Sequence, residues 1–302
     1  MQKINNIKKK IRLFFLKSKT GKFLKKLWIV IYKTVFTFNL HGGSENAGYL
    51  AFSIIFAIFP FMIFFTIIIG YMGQTEIGIK LIEILETTLP EDIVKTLLPV
   101  IDNVINGPKG GILSIATLTL IWSASSLVQG LKGVLNRAFR IKSNNSYFLG
   151  RLGSIIKFLL MTIFIIISIF ATIIFPKILL VINNFIPIHY NPDNIIVLLK
   201  PFLLSIFLFI FIESIYYIIP SKQSRPKDVL FGSILTLIGW TISLKVLTFY
   251  LQKMAKFQVV YGSLAGIIIT LFFFHIMAII LIFGAEFNYN AIEVFSSKKK
   301  IK

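Results

Sequence analysis

Glu213 is a carboxylate set in the apolar run Phe211-Ile212-Glu213-Ser214. An ionisable group near the middle of a membrane helix costs about 2.5–3.5 kcal/mol on insertion scales, so it marks either function or a close polar partner. The chemistry open to it is proton exchange or contact with a polar headgroup. Ser53, Ser123, Ser125 and Ser126 match its expected depth, as do Thr236 and Trp240. Together they would form a polar belt in the inner half of a helical bundle, lining a water-filled cavity. The alternative is structural, a Glu213 that is protonated or hydrogen-bonded to neighbouring helices. Lys245 enters its own segment from the opposite depth, so it snorkels outward instead of pairing with Glu213. A second group is cationic: Arg137, Arg140 and Arg151 lie close together in sequence, and guanidinium forks are suited to phosphate.

Covalent chemistry has little to work with. The chain has no cysteine, which excludes disulfides and thiol catalysis. His41, His189 and His275 are isolated, without a carboxylate at metal-ligand spacing. No phosphate-binding glycine loop appears, since Gly42-Gly43-Ser44 and Gly110-Gly111 read as breaks before apolar runs. Neither an enzyme nor a bound cofactor or metal is expected. Glu286 falls close enough to a membrane interface to need no special role.

The elements that must position these groups are transmembrane helices. Of 302 residues, 56% are hydrophobic, and six stretches are each long enough to cross about 30 Å of hydrocarbon. They are 47–72, 111–128, 155–181, 195–219, 229–251 and 262–287. Basic residues number 11 before the first stretch, 5 between the second and third, 3 between the fourth and fifth, and 4 in the tail. The opposite side has only 3 between the first and second stretches and 2 between the fifth and sixth. This alternation predicts cytoplasmic N- and C-termini in a plasma (inner) membrane. The net charge of +20 is then read as attraction to anionic headgroups at the cytoplasmic face, not to nucleic acid.

The expected architecture is all-α, a polytopic six-helix transmembrane bundle. Residues 1–46 form a basic cytoplasmic segment of interfacial helices, with Ile7, Ile11, Phe14 and Phe15 facing lipid, or else a helix packed beneath the bundle. No cleavable leader is expected. The transmembrane domain covers 47–287 and a basic tail covers 288–302. Between the first two spans, 76–106 reads as an extracytoplasmic pair of amphipathic helices broken at Pro90, a cap that holds half of the carboxylates. Small residues point to close packing: Gly262 and Gly266 form a GxxxG, and Gly232 and Gly239 stand seven apart. Pro60 is expected to kink the first span.

Several of these segments resemble the YihY/virulence factor BrkB family, once labelled ribonuclease BN-like. The resemblance covers about 35–295. It rests on Ala47-Gly48-Tyr49-Leu50-Ala51-Phe52-Ser53 running on to Phe59-Pro60, and on Ile121-Trp122-Ser123-Ala124-Ser125 leading into Leu135-Asn136-Arg137-Ala138-Phe139. It continues through Ile219-Pro220 with Gly232, then Tyr261-Gly262-Ser263-Leu264-Ala265 and Gly284-Ala285-Glu286-Phe287-Asn288. The chain departs from the family at Phe273-Phe274-His275, where the family often has Trp. The resemblance implies a six-span inner-membrane protein without a settled biochemical activity. Some members are linked to envelope integrity or serum resistance, and one branch to movement of a lipid A precursor. The favoured expectation is transport or flipping of a lipid or other amphiphile. The alternative is a non-transporting scaffold for envelope assembly that docks an envelope protein partner. Ribonuclease or tRNA-processing activity is disfavoured, and the sequence leaves the oligomeric state open.

Overall fold

Long runs of Ile, Leu, Phe and Ala with few breakers form helices wherever backbone groups must be satisfied without water. The computed structural model describes residues 19–72, 79, 102, 111–142, 147–185, 192–222, 225–253 and 258–295. The described elements are all helices, with no strand among the described residues: α1 (Lys19–Leu40), α2 (Gly43–Met72), α3 (Gly111–Ala138), α4 (Tyr147–Phe185), α5 (Pro192–Ile218), α6 (Pro226–Lys253) and α7 (Gln258–Phe295). The expected spans fall one per helix on α2 to α7, though several helices run further. The segments Leu149–Ser168, Pro201–Ile218, Pro226–Tyr250 and Ile268–Phe295 are long and apolar enough to cross a membrane. Their outer surfaces carry large apolar side chains such as Ile163, Leu204, Val246 and Phe272, as lipid contact requires. Apart from Ile79 and Asp102, the 76–106 cap lies outside the described residues, and so do 1–18 and 296–302.

The chain divides into two compact units. The first comprises 1–48, 131–144 and 160–302, and the second 49–130 and 145–159. In the first unit, α1 packs along the C-terminal part of α7. Val30 forms a buried cluster with Phe287 and Ala291, flanked by Leu27 and Val294. Helical spacing puts Leu27, Val30, Thr34 and Thr37 on one face of α1, and that face meets α7. The opposite face, with Leu24, Trp28, Tyr32 and Phe36, is exposed. The described part of the basic N-terminal segment thus packs one face against α7 and leaves the other open.

The core of this unit is the α5–α6–α7 group. Gly232 faces Gly284, Thr236 faces Gly284 too, and Gly239 faces Ile280, so α6 and α7 run antiparallel with their backbones close. The Tyr216 hydroxyl, fully buried on α5, accepts from Thr236 Oγ1 at 2.6 Å and donates to the Leu281 carbonyl at 2.7 Å. Trp240 Nε1 donates to the Met277 carbonyl at 2.9 Å. One hydroxyl thus ties three helices, and its loss leaves the buried Thr236 hydroxyl without its acceptor. Tyr216→Phe is expected to destabilise the protein by about 1–3 kcal/mol, read as a lower unfolding temperature in detergent. An unchanged temperature would show that the hydroxyl is redundant.

In the second unit, Gly130 of α3 sits against the Tyr49 ring of α2, where an added Cβ would lie 2.4 Å from Cε1. The α2 backbone is helical through Pro60.

Candidate functional site

About two turns of α7, Gly284-Ala285-Glu286-Phe287-Asn288-Tyr289-Asn290, supply three polar side chains to neighbours in the first unit. Asn288 Oδ1 accepts from the Gly232 backbone N–H on α6, while its Nδ2 is buried without a partner among the described residues. Asn290 Nδ2 reaches Thr34 Oγ1 at 3.3 Å and Thr37 Oγ1 at 3.1 Å on α1. Four residues earlier on the helix, Glu286 occupies nearly the same face.

Glu286 is the centre of the site. Its side chain is 1% exposed, yet it meets an imidazole and a guanidinium. Oε1 lies 2.6 Å from His41 Nδ1, and Oε2 lies 2.7 Å from Arg140 Nη1. An ionised carboxylate only accepts, so Nδ1 carries the proton in that bond. The partners are 245 and 146 residues away in sequence, and their side chains are 27% and 26% exposed. His41 is therefore not isolated, and Glu286 is buried and paired; both findings correct the sequence reading.

Each partner is delivered by a helix end. The last turn of α1 closes with His41 N–H on the Thr37 carbonyl and Gly42 N–H on the Asn39 carbonyl, with Gly42 at φ +63°. That left-handed conformation suits glycine and lets α2 start at Gly43. Asn46 Nδ2 then bonds the carbonyls of His41 and Gly42 at 2.8 and 2.7 Å, fixing the junction. At the end of α3, Ile141 N–H bonds the Asn136 carbonyl and Arg140 N–H bonds the Arg137 carbonyl. This is the paired hydrogen-bond pattern of a Schellman cap. Arg140 holds its left-handed position at φ 56°, which costs about 1 kcal/mol for a residue with a Cβ. Asn136 itself pairs with Ser221 in both directions at 2.8 Å, anchoring the α5–α6 connection.

The Arg140 guanidinium is confined on several sides. Nη1 also donates to the Ala138 carbonyl, and the group lies 4.0 Å from the centroid of the Tyr289 ring. Arg137, exposed, donates to Asn46 Oδ1. The third arginine belongs to the second unit. Arg151, on α4 in the second unit, stacks 3.6 Å above the Trp122 ring and reaches Trp122 O and Ser126 Oγ at 3.3 Å. Trp122 is 63% exposed, so the cation rests on an open indole face.

The serines expected to line a polar belt bond mainly to their own helices. Ser53 Oγ donates to the Tyr49 carbonyl at 2.8 Å, and Ser125 and Ser126 donate to that of Trp122 at 2.9 Å. Ser123 is buried. All four belong to the second unit and Glu213 to the first. Glu213 is half-buried on α5 and makes no hydrogen bond or ion pair among the described residues; Lys245 is exposed. Gly232 and Gly239 meet α7 closely, whereas a Cβ at Gly266 would touch nothing within 4 Å. Gly262 lies within α7 and Pro60 within α2, but their surroundings lie outside the described residues. Among the described residues no group of three or more His, Asp or Glu is arranged to hold a metal.

The sequence matches the family model for virulence factor BrkB over residues 35–302. It is similar to the ribonuclease-like protein YfkH of Bacillus subtilis, 25% identical over 83% of this chain and 90% of that protein. It is also similar to a UPF0761 membrane protein of Pseudoalteromonas atlantica, 25% identical over 84% of this chain and 82% of the relative. A third relative, the UPF0761 membrane protein of Actinobacillus pleuropneumoniae, is 24% identical over 87% and 93% respectively. No solved structure matches. With nearly nine-tenths of its length matched by the family model, and with long apolar helices among the described residues, the chain belongs to the virulence factor BrkB family of membrane proteins.

Proposed function

We propose that the protein transports or flips a lipid or other amphiphile between membrane leaflets for envelope maintenance, and is not an enzyme. The observation that carries this reading is the Arg151–Trp122–Ser126 cluster. It joins a cation suited to phosphate, a hydroxyl, and an exposed indole of the kind that settles at headgroup depth. A soluble substrate would have little use for an open aromatic face beside the charge. In this reading six helices span the inner membrane, both termini are cytoplasmic, and the basic loops meet anionic headgroups. The alternating distribution of Lys and Arg supports that orientation. Glu213 is the intramembrane carboxylate available for proton coupling or headgroup contact.

The test is leaflet exchange of a fluorescent phospholipid, and of a lipid A precursor, in proteoliposomes holding the purified full-length protein. Wild type is expected to exceed empty liposomes, and Arg151→Ala to slow exchange about tenfold through the loss of one charge-assisted contact. Glu213→Gln, run alongside, is expected to impair exchange while leaving folding intact. No exchange of either lipid by folded wild-type protein would overturn autonomous transport and favour the scaffold for envelope assembly.

A further inference from the structure

We infer that Arg140 forms a built oxyanion site that takes a phosphate group, with Glu286 and His41 as its positioning residues. The inference concerns the first unit alone and stands whether or not the protein moves lipid.

The backbone supplies the first argument. The left-handed position of a Schellman cap favours glycine, because a Cβ there is strained. At φ 56° this chain places an arginine instead. An arginine stands here against the backbone preference, so the side chain is what the position uses.

The guanidinium supplies the second. Arginine has five N–H donors. Both hydrogens of Nη1 are engaged, by the Ala138 carbonyl and by Glu286 Oε2. One face rests on Tyr289. The Nε–Nη2 edge has no partner among the described residues, and the side chain is 26% exposed. That edge is the fork that receives two oxygens of a phosphate side by side. Ordering the fork in advance removes part of the entropy cost of binding.

The carboxylate completes the device. Glu286 is buried on α7, and His41 holds its second oxygen at 2.6 Å. It therefore cannot swing away and leave Arg140 to wander. Arg137, tied to Asn46 at the same junction, adds a second guanidinium. Glu45, exposed at the start of α2, pairs with neither arginine among the described residues. A purely structural brace would need one donor to Glu286, and a lysine would serve. A brace does not require a fork with one edge left open.

Purified full-length protein in detergent would be titrated with inorganic phosphate and, separately, with short-chain phosphatidic acid, with a short-chain diacylglycerol as control. The readout is a saturable rise in unfolding temperature. Phosphate-bearing probes are expected to raise it, and diacylglycerol is not. Arg140→Lys keeps the charge on Glu286 and loses the fork, so the midpoint concentration is expected to rise about tenfold. Should that variant fail to fold, the double variant Arg140→Gly with Glu286→Gln removes both charges and the backbone strain, and is expected to show no response. A response to both probes identifies a general phosphate site, and a response to phosphatidic acid alone identifies a headgroup site. No response in wild type, an equal response to diacylglycerol, or an undiminished response in the double variant would overturn the inference.

Discussion

Gly232→Ala is expected to destabilise the protein by about 3 kcal/mol or more, although alanine is normally the better helix former. A Cβ at 232 would lie 2.2 Å from the Gly284 carbonyl oxygen and 2.4 Å from Asn288 Nδ2. The first of these is backbone, which cannot rotate aside. The strain has to be relieved by pushing α6 away from α7, and overpacking of this kind costs about 1–3 kcal/mol or more by itself. Separation also stretches the bonds that the close approach permits: Gly232 N–H to Asn288 Oδ1, Tyr216 to Thr236, and Trp240 to Met277. Each is worth about 1 kcal/mol, more where a buried group is orphaned. The control is Gly266→Ala on α7, where the new Cβ would meet nothing within 4 Å. There the gain in helix propensity, about 0.5–1 kcal/mol, is the only term. Unfolding temperatures in one detergent should therefore move in opposite directions for the two variants. If Gly232→Ala were neutral or stabilising, the α6–α7 seam would not be as close as described.

Why the close approach at Gly232 and Gly239 is readable in the sequence and the burial of Glu286 is not follows from the range of the signals involved. The membrane helices were legible because length and apolarity are local properties, and 262–287 lies within α7 throughout. The Gly232–Gly239 spacing was legible for the same reason, since seven residues return to one helix face. Glu286 was judged by depth alone, and a carboxylate near a helix end normally reaches water. Here residues from α1 and the end of α3 close over it, and their positions depend on contacts hundreds of residues apart. A usable hint was present all the same: Glu286, Asn288 and Asn290 put three strongly polar side chains within five positions of an apolar helix. Such a density is costly unless several different neighbours accept them. Arg137 and Arg140 flank the end of α3, but the cap turns Arg140 back toward α7, while Arg151 begins a new helix in the other unit. The packing of α1 was hidden by its lysines, which sit on exposed faces and mask the Leu27–Val30–Thr34 stripe.

Arg140→Leu is expected to cost more than Glu286→Gln, by about 1–2 kcal/mol, even though both break the same ion pair. The asymmetry comes from burial. Glu286 is 1% exposed, so without Arg140 its charge stays out of water with only His41 beside it. Removing one partner of a buried pair in this way costs about 3–5 kcal/mol, chiefly as the penalty of the charge left behind. Relief of the left-handed strain does not help, since leucine carries the same Cβ. In Glu286→Gln the groups left behind are Arg140 and His41, each about a quarter exposed and able to hydrate. The new amide can also accept from Arg140 through its oxygen and donate through its nitrogen to a neutral His41 Nδ1, so no polar atom is orphaned. The double variant should then lie close to Glu286→Gln alone, giving a coupling of more than about 1 kcal/mol between the two sites. Unfolding of all four proteins in one detergent reads this cycle directly. Equal single losses with an additive double would mean that the carboxylate is solvated. In that case Arg140 would not be held in place, and the open fork of the oxyanion site would lose its support.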